Sequence, residues 1–157
     1  MTTNLLLLGG TAEARALAAR LHPEVGVISS LAGRVPDPAL PVGEVRIGGF
    51  GGADGLRDWL RDNGIDAVVD ATHPFAATIT ATAATVCAEL GLPHLVLARP
   101  AWEPAGVTLV GSDIEAAELV ARQGYSRIFL TTGRSGTAAF VGSDAWFLIR
   151  AVTPPDP

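Results

Sequence analysis

The sequence predicts an α/β fold: a parallel sheet with helices on both faces, followed by the start of a second α/β unit. Three observations predict it. Short apolar runs alternate with helix-patterned segments along the chain. The first run, Leu5-Leu6-Leu7-Leu8, has no polar alternation, as a strand covered on both faces requires. It breaks at Gly9-Gly10 into Thr11-Ala12-Glu13-Ala14-Arg15, a strand, glycine turn and helix start of the Rossmann-like kind.

The other elements follow in order. Leu17, Ala18 and Leu21 have helical spacing within Ala12 to Leu21, and Pro23 ends that segment. Val25 to Ser29 is a second strand, and the stretch from Ser30 to Gly43 is irregular because of Pro36, Pro38 and Pro41. Glu44 to Ile47 is a third strand. Gly48-Gly49-Phe50-Gly51-Gly52 then leads to Asp54 as a helix cap. The helix carries Leu56, Trp59 and Leu60 as an ordinary core stripe and stops at Asn63-Gly64. Ala67 to Asp70 is a fourth strand, and Pro74 suits the first turn of a helix running to about Leu90, before Gly91. His94 to Ala98 and Val107 to Val110 read as further strands. Ser112-Asp113-Ile114-Glu115 is a capping box for a helix ending near Gly124. Ile128 to Thr131 repeats the opening theme, with the glycine loop Thr132-Gly133-Arg134-Ser135-Gly136 and the small-residue segment Thr137 to Val141. Ala145 to Ile149 is the last strand.

Composition narrows the function. Hydrophobic residues make up 48% and charged residues 17% of the 157, as in a compact folded domain. No apolar run approaches the roughly 20 residues of a membrane span, and the start has no basic, apolar, cleavable pattern, so no membrane association and a cytoplasmic location are expected. The formal net charge of −5 argues against a nucleic-acid surface. The single cysteine, Cys87, falls in an alanine- and threonine-rich helix pattern and reads as a buried, inert thiol. Three scattered histidines with one cysteine offer no metal-ligand cluster. All eleven basic residues are arginine. The absence of lysine excludes a P-loop lysine, a Schiff base and the tyrosine-lysine pair of short-chain dehydrogenases. It leaves arginine as the only permanently charged clamp for phosphate or carboxylate.

The opening loop makes a nucleotide phosphate the first ligand to consider. Gly9 and Gly10 let backbone approach a ligand closely, and the amides of Thr11, Ala12 and Glu13 begin a helix that favours an anion. The glycines are adjacent, whereas a G-x-G-x-x-G fingerprint separates them. A plain strand-to-helix turn is the structural alternative. The adenosine ribose of a dinucleotide meets the end of the second strand about 20 positions on, where an acid selects NAD. That place holds Ser29 and Ser30, with Arg34 shortly after; two hydroxyls and a guanidinium suit a 2′-phosphate, so NADPH is favoured. The alternative makes them turn and solvent residues. Gly49 and Phe50 could also approach the cofactor. Accordingly residues 1–98 are expected to form an NADP-binding domain, 99–106 a linker, and 107–157 the start of a second α/β domain. Pro154-Pro155-Asp156-Pro157 continues neither strand nor helix, so that domain is expected to be incomplete.

Several motifs together resemble the precorrin-6A reductases of cobalamin biosynthesis. They are Leu7-Leu8-Gly9-Gly10-Thr11-Ala12-Glu13-Ala14-Arg15, Ser29-Ser30-Leu31-Ala32-Gly33-Arg34, Gly48-Gly49-Phe50-Gly51, Asp70-Ala71-Thr72-His73-Pro74-Phe75-Ala76 and Thr132-Gly133-Arg134. Each is short; their order and spacing carry the resemblance. It implies NADPH-dependent reduction of a double bond in the precorrin-6A macrocycle to give precorrin-6B, and members longer than this chain. His73, just past a strand's carboxyl end, is the first candidate for substrate contact or proton delivery, with a loop hydrogen bond as its alternative. Asp70 and Thr72 could orient it or the nicotinamide, and Asp70 could equally cap a helix. Arg134, and less directly Arg99, would pair with the carboxylate arms of an anionic tetrapyrrole. A non-catalytic NADP-binding module that senses redox state, or another NADP-dependent oxidoreductase, fits the same residues.

Overall fold

The structure is a computed structural model that describes residues 3–33, 37–100, 103–133 and 135–151. The chain divides into two compact units, Met1–Ala101 and Trp102–Pro157. In the first, five strands form one parallel sheet: β1 (Asn4–Leu8), β2 (Gly26–Leu31), β3 (Glu44–Ile47), β4 (Ala67–Asp70) and β5 (His94–Val96), in the order β3-β2-β1-β4-β5. Helices α1 (Ala12–Leu21), α2 (Gly52–Asp62) and α3 (Ala77–Leu90) connect them. The chain leaves β1 for β2 in one direction and later returns to place β4 on its other side. That reversal opens a crevice at the carboxyl ends of β1 and β4, where open α/β sheets bind ligands.

The leucine run explains both layers. Side chains alternate along a strand, so Leu5 and Leu7 face one way and Leu6 and Leu8 the other. Leu5 and Leu7 pack with Val27 and with Ala14 and Ala18 of α1, whose small side chains let that helix lie close. Leu6 and Leu8 pack with Val68, with Leu56 and Leu60 of α2, and with Ala83, Val86 and Cys87 of α3. Leu6 and Leu7 are wholly buried, each burial contributing about 2 kcal/mol. Trp59 lies partly buried against the second of these clusters, as its helical stripe predicts, and burial pushes the Cys87 thiol up from its ordinary pKa.

The second unit holds α4 (Asp113–Arg122), β6 (Arg127–Leu130), a 3-10 helix (Ser135–Phe140) and β7 (Trp146–Ile149), with β6 and β7 paired in parallel. Ser112 caps α4 by accepting from the Glu115 amide at 3.1 Å. Glu115 Oε2 accepts from Gly111 N rather than from the cap residue, one position off the reciprocal capping-box bond.

Three expectations are corrected. Val107 to Val110 forms no strand: Val107 is 63% and Leu109 73% exposed, and β6 and β7 pair with each other instead. Asp54 does not cap α2; Gly51 does, in the left-handed region at φ 82°, and Asp54 sits in the first turn bonded to Arg57. Pro74 lies in a turn ahead of α3, which starts at Ala77.

Candidate functional site

Two loops meet at the crevice. The first, Gly9-Gly10-Thr11, runs from β1 into α1. Gly10 has φ 103°, which disfavours any side chain, and an added Cβ would meet nothing within 4 Å among the described residues. The second, Ala71 to Ala76, runs from β4 to α3. A single strut joins them: Thr11 Oγ1 donates to the Ala71 carbonyl at 2.7 Å while accepting from Ala14 N at 3.1 Å as the α1 cap. That hydroxyl has one proton and has used it, so Thr11 serves the site through its backbone.

The helix start shows what it favours. The Glu13 carboxyl lies below the usual carboxylate range, chiefly because its own backbone amide donates to it and further because of Arg99. Arg99 Nη2 meets Glu13 Oε2 at 2.8 Å. The chain's own anion therefore rests on a first-turn amide, that of Glu13 itself.

Ser29 and Ser30 are expected to act together, and the strand's alternation separates them. Ser29 is 1% exposed; its hydroxyl has no hydrogen-bond partner among the described residues, and it lines a cavity of about 10 Å³ with Gly9, Gly10, Ala14 and Arg15. Space for one water, or a ligand oxygen, lies beside that orphaned hydroxyl under the glycine loop. Ser30 faces the other way and accepts from Arg46 Nη1 at 2.8 Å.

Arg46 is the residue missed by sequence reasoning. It pairs with Ser30 in the β2–β3 register, and its guanidinium also donates to the carbonyls of Gly48 at 3.0 Å and Gly49 at 3.1 Å. Its carbon lies 3.8 Å from the Phe50 ring centre and 5.4 Å from that of Trp59, while the two rings meet edge to face at 5.5 Å. Burial lowers its pKa. The available signal was an arginine at the carboxyl end of a strand, directly before a glycine loop with an aromatic residue in it.

Asp70 closes the β4 end. It is 1% exposed, and Oδ1 accepts from Thr72 N at 3.0 Å and Thr72 Oγ1 at 2.6 Å, while Oδ2 accepts from Thr80 Oγ1 at 2.5 Å. The carboxylate is a loop anchor that ties β4 to α3, surrounded by its own donors. His73 is exposed above it. Its Nδ1 accepts from Phe75 N at 3.3 Å, so a neutral ring carries its proton on Nε2, and the ring lies 5.1 Å from that of Phe75, itself 91% exposed. Arg34 and Arg134 lie outside the described residues. Among the described residues no group of His, Cys, Asp and Glu could hold a metal, and no helix is long and apolar enough to cross a membrane.

Comparison with known proteins agrees across this whole length. A family profile described as precorrin-6x reductase CbiJ/CobK matches residues 4–157. A precorrin-6A reductase of Mycobacterium tuberculosis is 73% identical over 154 residues, covering 98% of this chain and 63% of the relative. One of Rhodococcus erythropolis is 58% identical, covering 98% and 64%. A solved structure named CobK precorrin-6A reductase superposes with a TM-score of 0.87 at 36% identity, covering 99% of this chain and 64% of that one. The chain thus spans somewhat under two thirds of the length of these relatives.

Proposed function

Because this chain belongs to the precorrin-6x reductase CbiJ/CobK family, we propose that it forms the cofactor-binding part of a cytoplasmic precorrin-6A reductase. The reaction is NADPH-dependent reduction of the macrocycle to precorrin-6B in cobalamin biosynthesis. The observation that carries this reading is 73% identity, over nearly the whole chain, to a relative of that name. In this reading residues 1–98 bind NADPH, 99–106 are a linker and 107–157 begin a second α/β domain.

The residues fit a dinucleotide. The Gly9-Gly10 turn, the amides of Thr11, Ala12 and Glu13, and the orphaned Ser29 hydroxyl form a cradle for phosphate oxygens. Ser30, Arg34, Gly49 and Phe50 serve the adenosine end. When bound, the nicotinamide supplies hydride. His73 presents Nε2–H to the substrate; taken to the imidazolium, with Nδ1 protonated and released from the Phe75 amide, it delivers the Nε2 proton that completes saturation of the double bond and returns to the neutral ring. Asp70 and Thr72 hold the loop that carries it. Arg134 and Arg99 pair with carboxylate arms of the tetrapyrrole.

Two measurements test this. The protein and its full-length form are mixed with NADPH and precorrin-6A while nicotinamide absorbance is followed; loss only with substrate is expected from the full-length enzyme. Binding without any loss in either form would favour a redox-sensing module instead. Separately, Glu13→Gln is expected to tighten NADPH about threefold in a fluorescence titration, because it removes the carboxylate that competes for the helix start. Weaker binding would show that Glu13 holds the cofactor rather than its place.

A further inference from the structure

We propose that Arg46 is a specificity-determining residue that reads the adenosine 2′-phosphate, with the Ser30 hydroxyl as its partner donor. The proposal rests on the NADPH reading above and adds a residue to it. Position comes first. The Gly9 amide donates to the Ser30 carbonyl at 2.9 Å, and the Gly48 amide donates to the Leu31 carbonyl at 2.8 Å. The ends of β1, β2 and β3 are thereby stitched together around Ser30 and Arg46, at the strand end where a dinucleotide fold receives its adenosine ribose.

Charge points the same way. Arg46 has no carboxylate partner among the described residues, and of the described arginines that share this lack only Arg15 is also part-buried while the others are exposed. A half-buried guanidinium that has lost water without gaining an anion is stabilised by one that arrives. Its contacts also fix it in advance. Three hydrogen bonds and the Phe50 face set its plane, and a guanidinium has more N–H donors than those three bonds use.

Ser30 completes the arrangement. Its oxygen accepts from the guanidinium, so its own proton remains available for an incoming oxygen. A 2′-phosphate would then receive donors from both side chains, while a free 2′-hydroxyl would gain little from the charge. Phe50 and Trp59, packed behind the guanidinium, keep it from following a ligand that lacks the phosphate.

Calorimetry with 2′,5′-ADP and 5′-AMP, together with titrations of NADPH and NADH, tests the assignment. Wild type is expected to prefer the 2′-phosphorylated member of each pair. Arg46→Ala should weaken NADPH about 30-fold, with NADH changed far less. Arg46→Lys keeps a charged stem over Phe50 but not the fork, so its preference should fall by about tenfold; it carries the test should the alanine variant not fold. Equal losses for NADPH and NADH, or an unchanged preference in the folded variant, overturn the role of Arg46 alone. No preference in the wild type overturns it together with the NADPH reading.

Discussion

Gly55→Ala is expected to cost about 3 kcal/mol and to lower the thermal unfolding midpoint by roughly 10 °C. Gly55 lies in the first turns of α2, and a Cβ there would overlap the backbone carbonyl of Phe50, far inside van der Waals contact. Phe50 cannot retreat easily, since its ring packs on Trp59 at 5.5 Å and carries Arg46 at 3.8 Å on its face. Opening this turn also shifts Gly48 and Gly49, whose carbonyls hold the Arg46 fork. Weaker NADPH binding should therefore accompany the lower midpoint. Gly49→Ala is the control: its Cβ would meet nothing within 4 Å, and it should melt with the wild type. A Gly55→Ala protein that melts normally would show that the turn relaxes at no cost.

Asp70→Ala is expected to destabilise by a similar amount, about 3 kcal/mol, for a different reason. The substitution removes an acceptor that serves one backbone amide and two threonine hydroxyls in a site closed to water. Asp70→Asn retains one carbonyl oxygen for Thr72 and can offer its amide to Thr80 Oγ1, so its midpoint should fall by less than half as much. Chemical denaturation of both variants checks this order. The pair also separates anchoring from chemistry. A stable Asp70→Asn protein that binds NADPH normally yet fails to turn over precorrin-6A would place the carboxylate in the reaction itself.

Much of the fold was legible because each part rests on local chemistry. Four consecutive leucines running into Gly9-Gly10 leave few choices besides a strand covered on both sides. Ala67 to Asp70 and Glu44 to Ile47 appear as strands at the predicted limits, since turn-forming residues punctuate them closely. Val107 to Val110 misled for the converse reason. An apolar run describes what a strand needs to bury, but a strand forms only where a neighbour offers its backbone, and β6 and β7 offer theirs to each other.

At the candidate site the division follows the same line. Sequence by itself determined the parallel sheet, the glycine turn feeding α1, the second loop after β4 and the supply of arginine without lysine, because composition and periodicity encode them residue by residue. Only the tertiary structure decided which groups share a space. Ser29 and Ser30, adjacent in the chain, serve opposite faces of β2; Thr11 spends its hydroxyl on Ala71, sixty positions away; and Arg99 meets Glu13 across the crevice. Arg46 joins Ser30 only because β3 lies beside β2 in one register. Hydrogen bonds and charge contacts act over a few ångströms in space, so chain crossover and strand register, set by burial of the whole sheet, determine which side chains can make them.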